Sequence, residues 1–298
     1  MLLEQTKTLP TWRQMNMDTS PEIERIHFAL LKSKPLWHKM KLLAGMERSA
    51  RSLVLVGLRR RHPTASKEEL QYLATERLYG NHRNFTNGTN GTNGTIGGKT
   101  GSQMTEYQTV DIALMVTETL DRLGIPYIVG GSLASIIYGM VRYTNDADLV
   151  ADIKPHQARA FARALSDRFY VYDESILDAI KYQSSFNVIH FESSIKVDIF
   201  VTKRRPFDKE QLSRRTREVI EVSTGRSAWI CTPEDIVLAK LEWFRMGGQS
   251  SERQWRDVLG VIKVQADSLD EDYLRQWGQP LGVSDLVERA LEEGKKAE

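Results

Sequence analysis

Two aspartates, Asp146 and Asp148, stand two residues apart at the start of an apolar, strand-like run. Alternate side chains of a β-strand point to the same face, so this spacing predicts that both carboxylates share one face of a sheet. Two negative charges at such a short distance repel each other unless a cation lies between them. Carboxylate oxygens are the ligands that Mg²⁺ prefers. The alternative is a solvated turn, for which residues 143–146 would be typical.

A diglycine turn precedes these acids. Gly130, Gly131 and Ser132 stand between a predicted strand at 125–129 and a predicted helix at 133–138. Glycines let the backbone turn sharply and approach a ligand closely. A helix amino terminus presents free N–H groups and the positive end of a dipole. We therefore expect an anion site suited to phosphate, although a serine at this position alone would be an ordinary helix cap.

A phosphate-binding turn followed by a paired-carboxylate metal site suits phosphoryl or nucleotidyl transfer. The pattern resembles the signature of the polymerase-β-like nucleotidyltransferase superfamily, and within it the minimal bacterial enzymes of the AbiEii toxin type. The resemblance covers about residues 104–264, and its motifs are Gly130-Gly131-Ser132, Arg142-x-Thr144 and Asp146-x-Asp148.

This resemblance implies an α/β (α+β) fold, with a nucleotidyltransferase-type mixed sheet flanked by helices. It also implies an NTP substrate and two Mg²⁺ ions, held by Asp146, Asp148 and a third acid, Asp198. A later helical motif of the toxin type is matched by Lys240 and Asp257. The implied catalytic residues are thus Asp146, Asp148, Asp198, Lys240 and Asp257, and the implied nucleotide-binding residues are Gly130, Gly131, Ser132, Arg142 and Thr144.

Several of these residues have ordinary structural alternatives. Asp198 lies in a buried-looking strand, where an unpaired carboxylate is costly, which favours a ligand role. Lys240 by default is a helix-surface lysine whose stem packs on apolar neighbours. Asp257 could pair with Arg253 one helical turn before it. His190, which alternates with apolar residues, is expected to be a core or edge histidine.

The predicted activity is transfer of an NMP from an NTP to an acceptor hydroxyl, either a tRNA 3′ end or a side chain of a partner protein. The alternative is a non-catalytic module that binds nucleotide or RNA. Intact acids at Asp146, Asp148 and Asp198 favour the enzyme. Binding of Mg·NTP without turnover would favour the module.

Composition is that of an ordinary globular protein, at 298 residues with 41% hydrophobic and 27% charged residues. No apolar run approaches the ~20 residues of a membrane span, and no charged-then-apolar leader opens the chain. A single cysteine, Cys231, fits a reducing compartment. We therefore expect a cytoplasmic location, and the Asn-x-Thr sequons near residue 90 are not expected to be glycosylated.

Charge and composition divide the chain. Residues 1–83 hold 15 Lys/Arg and 8 Asp/Glu, whereas residues 104–298 hold 25 Lys/Arg and 31 Asp/Glu. The predicted organisation is a separate small all-α domain at 1–83, a flexible Asn-Gly-Thr linker at 84–103, a nucleotidyltransferase core at 104–230 and a helical carboxy-terminal region at 231–298. The run Arg59-Arg60-Arg61 is read as a solvated helix end, with RNA phosphate contact as the alternative.

The basic amino-terminal domain and the acidic body are joined by a linker whose reach is on the order of 25 Å. Such a tether gives an effective concentration near millimolar, enough to hold a weak contact. We therefore expect this domain to dock on the catalytic domain as a regulatory or antidote-like partner. An independent RNA-binding appendage is the alternative.

Overall fold

The computed structural model describes residues 10–17, 19–79 and 108–295. The predicted linker at 84–103, with its sequons, lies outside the described residues. Among the helices of these three ranges, none is long and apolar enough to cross a membrane.

A seven-stranded mixed sheet forms the centre of the fold. Its strands, in chain order, are β1 Tyr127–Val129, β2 Asp146–Ala151, β3 Phe169–Tyr170, β4 Ser185–His190, β5 Lys196–Val201, β6 Thr216–Glu221 and β7 Arg226–Ile230. In space they follow the order β3-β4-β5-β2-β1-β7-β6. The pairs β2–β5 and β1–β7 are parallel, and the other pairs are antiparallel. The predicted mixed sheet is confirmed, and β4 and β5 form an antiparallel pair within it.

Thirteen α-helices of the described residues surround this sheet. They are α1 Trp12–Met15, α2 Pro21–Ser33, α3 Leu36–Arg61, α4 Lys67–Tyr79, α5 Thr109–Arg122, α6 Gly131–Tyr138, α7 Pro155–Leu165, α8 Asp173–Tyr182, α9 Pro206–Arg214, α10 Pro233–Met246, α11 Glu252–Gln265, α12 Glu271–Gly278 and α13 Ser284–Lys295. A short 3₁₀-helix, Ala266–Ser268, follows α11. The helical amino-terminal and carboxy-terminal regions that the sequence predicts are both present.

Hydrophobic alternation explains which face of the sheet is buried. In β2, the even-numbered positions Asp146 and Asp148 are partly exposed, whereas Leu149 and its odd-numbered neighbours are fully buried. The strand β5 repeats the pattern. The buried positions join one hydrophobic core with α5, α7 and α8. The opposite face, which carries the acids, lies towards the hydrophobic cluster that includes α10.

The amino-terminal region contacts the sheet through the long helix α3. Met40 and Leu43 belong to the same hydrophobic core as the strands, and Leu43 has no exposed surface. Lys39 is also buried and donates from Nζ to the carbonyl oxygen of Ile137 in α6 at 2.6 Å. Burial lowers the pKa of Lys39 to about 8. This helix is thus packed into the core that holds the strands β2 and β5.

A second contact joins the first helices to the carboxy-terminal region. Trp12 is 4% exposed and belongs to the hydrophobic cluster of α10 to α13. Lys32 of α2 donates to the carbonyl oxygen of Gln265 at 3.2 Å. The arginines at 59–61 are exposed in the last turn of α3. The amino-terminal helices therefore contact both the core of the sheet and the carboxy-terminal helices.

Candidate active site

The diglycine turn is fitted to one carboxylate. Gly131 has a φ of +50°, and a Cβ at this position would come within 2.0 Å of Asp148 Oδ2. The backbone N–H of Ser132 donates to the same Oδ2 at 3.1 Å. Only glycine tolerates both the left-handed backbone and the close approach. Part of the anion-binding capacity that the sequence predicts for the start of α6 is therefore used by Asp148 itself.

The acid pair has the geometry that the alternation predicts. Asp146 and Asp148 occupy the same face of β2, and Asp148 is the direct register partner of Asp198 in the parallel strand β5. Burial, followed by the negative charge of Asp198, raises the pKa of Asp148, while the hydrogen bond from Ser132 opposes that shift. A cation would stabilise the charged form of such a site.

Asp198 forms an ion pair with a lysine of its own strand. Its carboxylate pairs with Lys196 Nζ at 2.8 Å, and it does not line the cavity described below. Within the described ranges, no three His, Cys, Asp or Glu side chains converge closely enough to hold a metal ion. The three predicted ligands are thus neighbours on two strands, but Asp198 would have to leave Lys196 to join the other two.

Asp257 lies at the centre of a buried ion cluster. Arg142 donates to both of its oxygens at 2.7 Å, and Lys240 Nζ donates to Oδ2 at 2.8 Å. The Asp257 side chain is 8% exposed. Burial alone would raise the pKa of Asp257, but hydrogen bonds from Arg142 and the charge of Lys240 outweigh it and lower this pKa. Two alternatives that the sequence allowed are thereby wrong. Asp257 pairs with Arg142 and Lys240 and not with Arg253, and Lys240 is buried and not on the helix surface.

The ion cluster contacts the diglycine turn. Arg142 Nη2 donates to Ser132 Oγ at 3.1 Å. Thr144, by contrast, is 1% exposed, and its hydroxyl accepts the backbone N–H of Asp146 at 3.3 Å. Thr144 therefore holds the backbone before β2, and it is not among the residues that line the cavity described below. Arg142 lies in the loop before β2, and its ion pair joins this loop to Asp257, which is 115 residues later in the sequence.

A cavity of about 630 Å³ lies between the open face of the sheet and α10. Of the predicted site residues, those that line it are Gly130, Gly131, Ser132, Arg142, Asp146, Asp148, Lys240 and Asp257. Asp198 and Thr144 do not. His190 is 1% exposed and contacts Phe169 and Ser193 elsewhere in the sheet, as expected of a core histidine.

Sequence reasoning missed the far end of the cavity. Phe200 and Trp243 line it, with their ring centroids 5.5 Å apart. Arg205 also lines it, held by Asp208 and Glu242. Two signals were available: Phe200 follows Asp198 by two strand positions, and Trp243 follows Lys240 by three helix positions.

Comparison with known proteins gives two kinds of likeness. The Rv0078B-related antitoxin family matches residues 38–93, which overlap α3 and α4. No curated protein sequence matches the chain. One similar solved structure is an antigenic nucleotidyltransferase-like protein from Paracoccidioides brasiliensis, at 18% identity and a TM-score of 0.40, covering 62% of this chain and 92% of that one.

Two further similar structures are of the antibiotic-resistance factor ANT(2″)-Ia. Its solution structure has 11% identity and a TM-score of 0.36, with 61% of this chain and 98% of that chain covered. Its crystal structure in complex with adenylyl-2″-tobramycin has 11% identity and a TM-score of 0.40, with 58% and 96% covered. At such identities the functional inference depends on the geometry of this chain.

Proposed function

We propose that the chain is a magnesium-dependent nucleotidyltransferase that moves an NMP from an NTP to an acceptor hydroxyl. The observation that carries this proposal is the position of Asp146 and Asp148. They share one face of β2, beside the Gly131–Ser132 turn, and open into a cavity bordered by Arg142 and Lys240. Few reactions need two carboxylates and two basic side chains within one cavity. Transfer from a triphosphate is one of them, because the acids hold the metal ions and the basic side chains bind the phosphates.

The donor set fits magnesium. Asp146 and Asp148 offer hard oxygen ligands, and the raised pKa of Asp148 reflects burial and negative neighbours, the setting that a cation relieves. Magnesium bound there, as two ions, supplies neutralisation of the triphosphate and polarisation of the attacking hydroxyl. Asp198, the register partner of Asp148, is the proposed third ligand once it leaves Lys196.

The remaining groups act by charge and position. Arg142 and Lys240 border the cavity and are the proposed clamps for the triphosphate and the departing pyrophosphate. Asp257, which holds both cations, is a positioning residue. Because this transfer depends mostly on positioning and electrostatics, prealigned cations contribute directly to the rate. The acceptor we propose is a tRNA 3′ end or a partner-protein side chain.

We further propose that the protein is of the AbiEii toxin type, with the amino-terminal helices as its antidote-like partner in the same chain. The match of residues 38–93 to an antitoxin family supports this. The burial of Leu43 in the core of the sheet and the bond from Lys39 to Ile137 support a contact between the two parts.

The test is label transfer by the full-length chain. We would incubate it with Mg²⁺ and α-labelled NTPs, adding total tRNA or candidate partner protein. The D146N/D148N variant should lose at least about a hundredfold in transfer, and EDTA should abolish it until Mg²⁺ is restored. Asp152→Asn is the matched control, because Asp152 lies just beyond β2 and pairs with Lys154 at 2.7 Å. No transfer by the wild type above the double variant would refute the enzyme.

One observation favours a second function. The Lys196–Asp198 ion pair leaves only two of the three acids free for a metal, as in a module that binds Mg·NTP without turnover. Calorimetry separates the two functions. Binding of Mg·NTP with no labelled product would favour the module.

A further inference from the structure

The cavity has an aromatic end that the proposed transfer chemistry does not use. Phe200 of β5 and Trp243 of α10 line it, with ring centroids 5.5 Å apart and ring planes at 62°. Val150 of β2, the register partner of Phe200, lines the cavity beside them. Trp243 remains 47% exposed despite these apolar neighbours. A half-exposed indole in a cavity wall offers a flat face to a ligand.

The aromatic end of the cavity lies one short step along β2, β5 and α10 from a charged residue of each element. Val150 and Phe200 each follow a site aspartate by two strand positions, about 6.6 Å along the strand. Trp243 follows Lys240 by three helix positions, about 4.5 Å along the axis and on the same side. On β2 and α10, where both residues of each pair line the cavity, its lining changes within that step from charged, at Asp148 and Lys240, to apolar, at Val150 and Trp243.

We propose that Trp243 and Phe200 form the nucleobase subsite of the NTP, an inference that rests on the proposed function. A nucleotide has the same polarity as this cavity, with a charged triphosphate at one end and a flat aromatic ring at the other. Its sugar spans the step over Val150, and its base lies against the Trp243 indole. The cavity volume of about 630 Å³ is within the usual range of small-molecule sites.

A cluster of three charged residues borders this subsite. Arg205 binds Asp208 at 2.9 Å and Glu242 at 3.1 Å, and all three residues line the cavity. Arg205 is paired with both acids, and the cluster keeps one net negative charge, so we assign binding of the ring to stacking on Trp243. Stacking discriminates weakly among bases because every base has a π-face. We expect purine and pyrimidine nucleotides to depend on Trp243 alike.

The test compares a ligand with a base and one without. Calorimetry on the full-length chain with Mg²⁺ would measure affinity for α,β-methylene NTP analogues and for inorganic tripolyphosphate. Trp243→Ala should weaken binding of the analogues about tenfold and leave tripolyphosphate unchanged. Trp243→Phe keeps an aromatic face and should restore most of the affinity.

Trp37→Ala is the matched control. Trp37 is 36% exposed on α3 and packs edge-on against His38 at 5.6 Å, outside the cavity lining. The Trp37→Ala variant should bind the NTP analogues and tripolyphosphate with wild-type affinity. Equal binding of the analogues by Trp243→Ala and wild type would overturn the subsite, and so would an equal loss for both ligands. Wild type that binds the analogue but labels no acceptor refutes the transferase alone, whereas wild type that binds no analogue refutes both.

Discussion

Asn145 Nδ2 donates a hydrogen bond to the carbonyl oxygen of Leu78 at 2.6 Å. Leu78 is near the end of α4, where helical carbonyls have no partner within the helix. Asn145 directly precedes the metal-binding candidate Asp146. The antitoxin-matched region therefore contacts the loop that leads into β2, and this contact gives the proposed antidote a direct route to the proposed site.

We predict that the amino-terminal helices stay bound when the chain is cut within residues 84–103. The buried contacts of Leu43 and Lys39 and the Asn145–Leu78 bond all cross between the two pieces. After cleavage, the pieces should co-migrate in size exclusion at micromolar concentration and low salt. High salt should weaken the charged part of the contact but not the apolar part. Separate migration at low salt would contradict docking and favour an independent appendage.

We predict that Leu43→Ala destabilises the whole chain by about 2–5 kcal/mol, because it leaves a cavity in the shared core. Leu43 has no exposed surface, whereas its neighbour Leu42 is 43% exposed. Leu42→Ala is therefore the matched control and should stay within about 0.5 kcal/mol. Urea denaturation, monitored by tryptophan fluorescence, measures the free energy of unfolding of both variants. Equal effects of the two substitutions would mean that α3 is not part of the core.

Local spacing predicted some of the site well. The period of two placed Asp146 and Asp148 on one face, and the same argument applied to Lys196 and Asp198 would have predicted their ion pair. Lys196 lies on the same strand face as Asp198, so its ammonium group competes with a metal ion for that carboxylate.

Local spacing in the sequence could not predict the long-range contacts of the site. Arg253 was the nearest partner that a helix repeat could offer to Asp257, but α11 turns Asp257 towards Arg142 and Lys240 instead. That choice depends on how α10, α11 and the loop before β2 pack together. A single sequence carries no periodic signal for packing of this kind, so only the family resemblance pointed to Lys240 and Asp257.

We predict that Gly131→Ala lowers nucleotidyl transfer by at least about a hundredfold. A Cβ at Gly131 would lie 2.0 Å from Asp148 Oδ2, so the carboxylate must move away from its proposed ligand position. Gly124 is the matched control, because its φ of +62° is similar but no atom lies within 4 Å of its Cβ position. Gly124→Ala should cost only backbone strain, about 1–2 kcal/mol, and keep its activity. Similar activities of the two variants would separate Asp148 from catalysis.

Glu47 of α3 provides a pH dependence at the contact between the two parts. Its Oε2 accepts the backbone N–H of Thr109 in α5 at 3.0 Å, and its Oε1 is buried without a partner among the described residues. Burial raises the pKa of Glu47 to about 7, although the bond from Thr109 opposes the shift. The charged form is therefore disfavoured in the folded chain.

We predict that Glu47→Gln stabilises the chain at pH 8 and has little effect at pH 5. With a raised pKa, the protonated form is favoured by folding, so this stability is complete below the unfolded pKa of 4.5 and is lost as pH rises through about 7. Glutamine stays neutral and should gain up to about 3 kcal/mol over wild type at pH 8. Urea midpoints at both pH values measure the difference. Glu22→Gln, on the exposed face of α2, controls for the loss of one charge. A stability difference between Glu47→Gln and wild type that is the same at both pH values would show that Glu47 is already charged in the folded chain at pH 5.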